Sequence, residues 1–234
     1  MHKTAIPQYV LDRVLKSRGK LHIFDALDGP ATALVVVDLQ NCFMLAPYAT
    51  EVAMTREIVP NVNKLAAAIR AAGGVVVWIQ TAHTEKDLES WSVYYDYVGS
   101  SRSRADGLRR LTRGTHGYAL YEGLDVQEHD LVVEKSRFSA FIQGSSDLDM
   151  ILRGRGIDTV LVTGTVTNTC CESTARDAMM LNYKTVMVSD GNAAHTDDEH
   201  NATLANILRI FGDVMSTDEV IERLQPAVQA SAAE

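Results

Sequence analysis

Three residues of different chemistry stand at or just past the ends of three apolar runs. Asp38 closes "ALVVVD", Lys135 closes "DLVVEK", and Cys170 follows "DTVLVTGTVTNT" where a helical pattern begins. If the runs are parallel strands of one sheet, all three fall on its carboxyl edge, where open α/β sheets bind ligands. An acid, a base and a thiol grouped there suit acyl transfer. The thiolate is the reactive form of cysteine. A helix N-terminus and a nearby ammonium both favour it, so a lowered thiol pKa is expected. Asp38 can accept the thiol proton and return it to a leaving amine. Residues 164–170 can aim backbone N–H groups at a developing oxyanion, each donor contributing roughly 3 to 4 kcal/mol in hydrolases. The covalent intermediate of such a reaction is a thioester.

Each residue also has an ordinary reading. An aspartate ending a strand forms a turn or a cap, and a lysine there is a solvated cation. A cysteine at a helix start is a small buried apolar residue. The adjacent pair Cys170 and Cys171 is compatible with core filling, a metal site, a redox pair, or a nucleophile with a neighbour. The third cysteine is Cys42. An odd, low count without a secretion signal does not read as a disulfide framework.

The elements that must position these groups follow from periodicity. Residues 33–40, 74–81, 130–135, 158–164 and 184–190 read as strands, and "DVMS" near Asp213 as a short sixth. They are runs of β-branched residues rather than alternations, so both faces of the sheet should be covered. Val59, Val62, Leu65 and Ile69 predict a helix over 56–72, stopped by Gly73 and Gly74. Shorter helical patterns occupy 148–152 and 171–182, and a leading one 7–16. Thr196 with Glu199, and Ser216 with Glu219, are capping-box signals opening two more. Strand–helix alternation implies right-handed crossovers and an α/β fold with a mostly parallel sheet.

One segment breaks the pattern. Residues 81–123 read as a long loop holding "WSVYYDY" and an arginine cluster at 102–113. Loops of this length serve function or interfaces. The arginines are compatible with an anion site, a solvated loop being the default. One domain over 1–234 is expected, with 1–30 as an N-terminal extension and 226–234 as a flexible tail.

Composition narrows the function classes. The 234 residues are 46% hydrophobic and carry a net charge of -8. That supports one sizeable core and argues against a general nucleic-acid binder. Neither a signal-peptide start nor a membrane-length apolar run is present, so a soluble, cytoplasmic protein without membrane contact is expected. No G-x-G-x-x-G joins the first strand to its helix, which removes the dinucleotide oxidoreductases. No papain-type cysteine signature occurs.

The quoted residues resemble the isochorismatase-like cysteine hydrolases, closest to their ureidoacrylate and N-carbamoyl amidohydrolase branch. "ALVVVDLQNCF" resembles the segment carrying the acid, "VVEKSRFSAF" the lysine segment, and "GTVTNTCCESTARDA" the nucleophile motif, in that order. The resemblance implies a Rossmann-like three-layer sandwich with a mostly parallel six-stranded sheet and helices on both faces. It implies a catalytic triad of Cys170, Asp38 and Lys135, and a cis peptide at Thr165–Val166. The backbone amides of Val166 and Cys170 then form the oxyanion hole. Cys171 stands where the family has an apolar residue and is expected to face the core. Glu172 and Arg176 are four apart on one helix and predict an ion pair.

What the resemblance implies for substrate is a small amide or ureido (N-carbamoyl) compound, often with a carboxylate. Gln80 and Trp78 at the end of the second strand, Arg137, and Asn168 are the candidate substrate contacts. A guanidinium can bind a carboxylate bidentately, although a solvated Arg137 is equally compatible. The stretch "WIQTAHTEKDLESW" lacks the D-x-H spacing of the nicotinamidases, which leaves His83 alone and read as a loop histidine. "HTDDEH" reads as a capping box. No metal and no cofactor are expected. The aromatic cluster at 91–97 is read as a lid or a subunit contact, and a homodimer or homotetramer is expected. The leading expectation is therefore a metal-independent cysteine amidohydrolase. The alternatives are a nicotinamidase-like or isochorismatase-like hydrolase of another small substrate, or a catalytically silent binding homologue.

Overall fold

A computed structural model describes residues 1–99 and 101–225. The expected tail at 226–234 lies outside the described residues. In chain order the elements are α1 (Gln8–Arg18), β1 (Leu27–Asp28), β2 (Thr32–Val37), α2 (Asn41–Met44), α3 (Thr55–Ala71), β3 (Val75–Thr81), α4 (Glu85–Ser90) and α5 (Ser101–Leu111). There follow β4 (Leu131–Lys135), α6 (Leu148–Arg153), β5 (Thr159–Thr165), α7 (Glu172–Met180), β6 (Lys184–Ala193), α8 (Asp197–Asn206), β7 (Asp213–Met215), α9 (Thr217–Arg223) and β8 (Leu224–Gln225). Short π-helical stretches occupy Tyr94–Val98, Thr167–Cys171 and Ile207–Phe211.

The apolar runs become one sheet of six parallel strands, ordered β4-β3-β2-β5-β6-β7. β1 and β8 form a separate parallel ribbon that sequence periodicity did not indicate. The pleat sorts side chains between two cores. Val35, Val37, Val77, Ile79 and Val133 pack with Leu148, Ala175 and Leu204 on one face. Leu34, Val36, Val76 and Trp78 pack with Ile58, Val62, Leu65 and Ile69 of α3 on the other. Every residue of β2 is buried, as a continuous apolar run between two helical layers requires. β4 departs from the expectation of full cover. It is an edge strand, and Val132 on its open face is 52% exposed.

Local chemistry fixes the helix starts. Thr196 Oγ1 accepts from the Glu199 amide (3.2 Å) while Glu199 accepts from the Thr196 amide (3.1 Å). Ser216 and Glu219 repeat the exchange. "HTDDEH" is thus a helix cap, satisfying amides that a helix leaves unpaired. The long loop expected at 81–123 is instead largely helical. Thr84 and Asp87 form a capping box that opens α4, with Asp in the place where Glu or Gln is usual. The π-helical stretch Tyr94–Val98 and α5 continue the segment. Among the described residues no helix is long and apolar enough to cross a membrane.

Candidate active site

Parallel register gathers the strand ends. Val37 is level with both Ile79 and Gly164, and Thr81 with Lys135. Gly164 has φ 120°, and a Cβ there would lie 2.0 Å from the Val37 carbonyl oxygen. Only glycine lets β5 run this close to β2. Asp38 leaves β2 at φ 55°, a left-handed conformation that aspartate reaches more readily than most residues. Its amide still donates to the Ile79 carbonyl at 3.0 Å. Lys135 is the last residue of β4. Cys170 lies in the stretch Thr167–Cys171, reached from β5 through a cis Thr165–Val166 peptide. The Val166 carbonyl accepts from the amides of Thr169 (3.0 Å) and Cys171 (3.3 Å), folding the turn over itself.

These elements bring Asp38, Lys135 and Cys170 together. Lys135 Nζ is 2.7 Å from Asp38 Oδ2, donates to Thr81 Oγ1 at 2.7 Å and to the Arg137 carbonyl at 3.0 Å, and lies 3.6 Å from Cys170 Sγ. Thr81 in turn donates to Asp38 Oδ1 at 2.9 Å. Asp38 and Lys135 are each 1% exposed and Cys170 8%. Asp38 Oδ2 lies in the ion pair but accepts no directed hydrogen bond, so it keeps acceptor capacity. Thr81 was not among the sequence candidates. The signal for it was the one that identified Asp38, a polar residue ending an apolar strand.

The electrostatics correct one expectation. A lowered thiol pKa was anticipated. Burial instead pushes the Cys170 thiol up to about 12; Lys135 pulls it down and Asp38 pushes it further up. The desolvation of a largely buried thiolate outweighs the ammonium beside it. Burial therefore favours the thiol form of Cys170. For Lys135, burial works against the charge, but Asp38 and Cys170 together outweigh it and hold the pKa above the ordinary lysine value. Cys171 faces the core and is fully buried, and burial raises its thiol well above the usual range. All three cysteines are free.

A cavity of about 390 Å³ opens over this floor. Cys170, Lys135, Thr81, Val166 and Thr169 lie at its base. Its wall comes from Trp91, Tyr94, Tyr95, Arg110, Arg137 and Phe138. Trp91 stacks on Tyr94 at 4.5 Å and meets Phe138 edge-on at 4.8 Å. The aromatic cluster is thus a cavity wall. Its end at Val93, Tyr97 and Val98 is exposed.

Other candidates fall elsewhere. Trp78 and Gln80 do not line the cavity. The pleat turns residues 79 and 81 toward Cys170, so 78 and 80 face the α3 side. The Trp78 indole donates to Asp130 Oδ2 at 2.8 Å, and Arg70 holds the same carboxylate. Gln80 donates to the Tyr118 carbonyl at 2.9 Å. Asn168 is exposed and also lies outside the cavity lining. Arg137 does line it and is not merely solvated. It donates to Ser90 Oγ (2.8 Å) and to the Ser136 carbonyl (2.9 Å), and its guanidinium stands 5.0 Å from the Trp91 ring centre. Glu172 and Arg176 form the expected ion pair at 2.5 Å.

Two histidines line the cavity, His83, read above as a loop histidine, and His195, which the sequence did not single out. His83 is 6% exposed, with Nδ1 hydrogen-bonded to the Tyr95 hydroxyl at 3.0 Å. Burial, with Lys135, Arg110 and Arg137 nearby, lowers its pKa to about 4. It is a buried, neutral histidine of the loop between β3 and α4, and it lines the cavity. His195, just past β6, also lines the cavity. Among the described residues no group of three or more His, Cys, Asp or Glu side chains could hold a metal ion.

Residues 32–219 match the Isochorismatase domain family. A ureidoacrylate amidohydrolase, RutB, of Klebsiella variicola is 33% identical, the match covering 86% of this chain and 90% of that protein. The crystal structure of a cysteine hydrolase from Pseudomonas syringae pv. phaseolicola superposes with a TM-score of 0.72 at 32% identity, over 85% of this chain and 94% of that one. N-carbamoylsarcosine amidase from Thermoplasma acidophilum superposes with a TM-score of 0.64 at 29% identity, over 80% and 96%.

Proposed function

This chain belongs to the isochorismatase-like cysteine hydrolase family, and from that premise we propose that it hydrolyses a C–N bond of a small amide or ureido substrate through a thioester on Cys170. The observation that carries the reading is the buried contact set centred on Lys135, which touches the Asp38 carboxylate at 2.7 Å and the Cys170 sulfur at 3.6 Å. Relatives named for ureidoacrylate and for N-carbamoylsarcosine support the substrate class.

Because burial favours the thiol form, attack and proton transfer must be coupled. Asp38 takes the Cys170 proton as sulfur bonds to the substrate carbonyl carbon. Lys135 keeps its charge throughout, stabilising the Asp38 carboxylate and the partial negative charge that gathers on sulfur as its bond to carbon forms and later breaks. The Val166 and Cys170 amides receive the oxyanion of the tetrahedral intermediate. Asp38 then passes its proton to the leaving nitrogen, the C–N bond breaks and ammonia departs. Water attacks the acyl-sulfur bond. Asp38 accepts the water proton and returns it to sulfur. An amide yields a carboxylic acid. A ureido compound passes through a thiocarbamate and yields a carbamate. Nucleophile, proton carrier and oxyanion donors all come from the chain, so we propose that the reaction needs no metal.

The test is ammonia release from a panel of small amides and ureido acids, by the wild type and by Cys170→Ala, with and without chelator. Release that vanishes in Cys170→Ala and survives chelation is expected. Release that persists in Cys170→Ala would sink the nucleophile assignment, and loss on chelation would sink the metal-free one.

A further inference from the structure

The charge balance of the cavity is incomplete. Among the described residues no aspartate or glutamate lines it, while Lys135, Arg110 and Arg137 do. Lys135 has Asp38 as its counter-charge. Arg137 contacts only two serine hydroxyls, a carbonyl and an aromatic face. Arg110 makes neither an ion pair nor a side-chain hydrogen bond among the described residues, and its Nε is buried without a partner. Its neighbours behave differently. Arg104 pairs with Asp96, Arg109 with Asp106, and Arg113 with Glu134. Of the four, only Arg110 lines the cavity. Asp106 borders the adjoining cavity that Arg110 also touches, but it is engaged by Arg109.

A guanidinium does not shed its proton at any ordinary pH, so this charge cannot be relieved by titration. Arg110 is half-buried, and its Nε is cut off from water without a partner, so the group gains when an anion pairs with it. The wall around it is flat and aromatic, and the volume of about 390 Å³ admits only a small molecule.

Resting on the amidase reading above, we propose that Arg110, assisted by Arg137, is the specificity-determining residue of this site. It selects substrates whose small, flat body carries a carboxylate. The carboxylate supplies the counter-charge that the cavity lacks, and a guanidinium receives it through paired N–H donors.

The experiment compares 3-ureidopropionate with its methyl ester, an anionic and a neutral form of one ureido skeleton, in wild type, Arg110→Gln and Arg110→Lys. The wild type is expected to favour the acid. R110Q should lower the acid-to-ester ratio of kcat/KM roughly 10- to 100-fold, mainly through KM, and R110K should keep most of the preference. Circular dichroism checks that each variant is folded. No preference in the wild type, or an equal loss on both compounds in R110Q, overturns the proposal. A parallel titration separates it from the amidase reading. Benzoate and benzamide are titrated calorimetrically into Cys170→Ala and Cys170→Ala/Arg110→Gln. Should no compound be turned over, benzoate binding that requires Arg110 would uphold the anion site while the amidase reading falls. Absence of any benzoate preference would remove the anion site as well.

Discussion

Asp38, Lys135 and Cys170 stand on or just past strand ends held level by parallel pairing, whereas Trp91, Tyr94 and Arg110 come from the helical segment that joins β3 to β4. The two regions treat charge differently. On the floor, the ammonium and carboxylate are 1% exposed and neutralise each other within the protein. On the wall, Arg110 has no such partner among the described residues. On the reading proposed above, a floor charge serves folding and chemistry at once, and a wall charge serves ligand selection. This separation lets one sheet architecture serve several substrates, because the wall can change without disturbing the register that aligns the floor.

The comparison breaks first at the cysteines. Cys170→Ala should lower turnover on the order of 10⁴-fold or more, as nucleophile removal does elsewhere. Cys171→Val, one residue away in the same core, should leave turnover near wild type because it keeps the position apolar and adds only about one methyl group. Steady-state ammonia release on both variants checks this. A dead Cys171→Val that is fully folded would mean the second thiol takes part in the chemistry.

The buried pair comes next. Asp38→Asn should reduce kcat by about 10² to 10⁴ through loss of the proton carrier. It should also destabilise the fold by roughly 3 to 5 kcal/mol, since Lys135 loses its counter-charge. Arg110→Gln on the wall leaves no partner behind and should shift stability by less than about 1 kcal/mol. Urea titration of both variants sharpens the contrast. Equal losses would show that the wall charge is structural too.

Acid should weaken both regions together. His83 in the wall and His200, bonded to Thr167 behind the nucleophile turn at 3.0 Å, each have a pKa lowered to about 4, with burial as the first cause. The unfolded chain binds these protons near pH 6.5 and the folded chain only near pH 4. Stability is therefore fully present above about 6.5 and falls as pH drops toward 4, by up to roughly 3 kcal/mol per histidine. Urea midpoints at pH 7 and 4.5 should differ in the wild type and converge progressively in His83→Gln and His83→Gln/His200→Gln. An unchanged pH slope in the double variant would refute the assignment.

The smallest effect belongs to the wall alone. Thr84→Ala removes the cap of α4 and should cost about 1 kcal/mol. Hydrogen exchange should quicken at amides 85–90 and stay unaltered in β2 and β5. Faster exchange in those strands would show the two regions unfolding as one unit.

How much was legible depended on whether a signal was local. The strand runs, the α3 stripe and the Thr196 and Ser216 caps each rest on neighbours within a few residues, and all form where expected. Residues 81–123 escaped because their capping signal uses Asp87 in place of Glu or Gln, and the π-helical stretch has no simple period. Trp78 and Gln80 were placed at the right strand end but on the wrong face. A continuous apolar run carries no alternation from which the pleat phase can be read. Asn168, two residues before Cys170, was a candidate substrate contact, yet the turn leaves it exposed.

The chain's own pattern determined the α/β alternation, the family motifs, and which strand ends carry an acid, a lysine and a thiol. Each depends on residue type and short-range spacing. Tertiary structure alone decided that Thr81 joins Asp38 to Lys135, that Arg110 reaches the cavity while Arg104, Arg109 and Arg113 do not, and that burial opposes the thiolate at Cys170. Those outcomes depend on which groups distant in sequence become neighbours and on how completely water is excluded, and desolvation is a property of the whole enclosure rather than of any one residue.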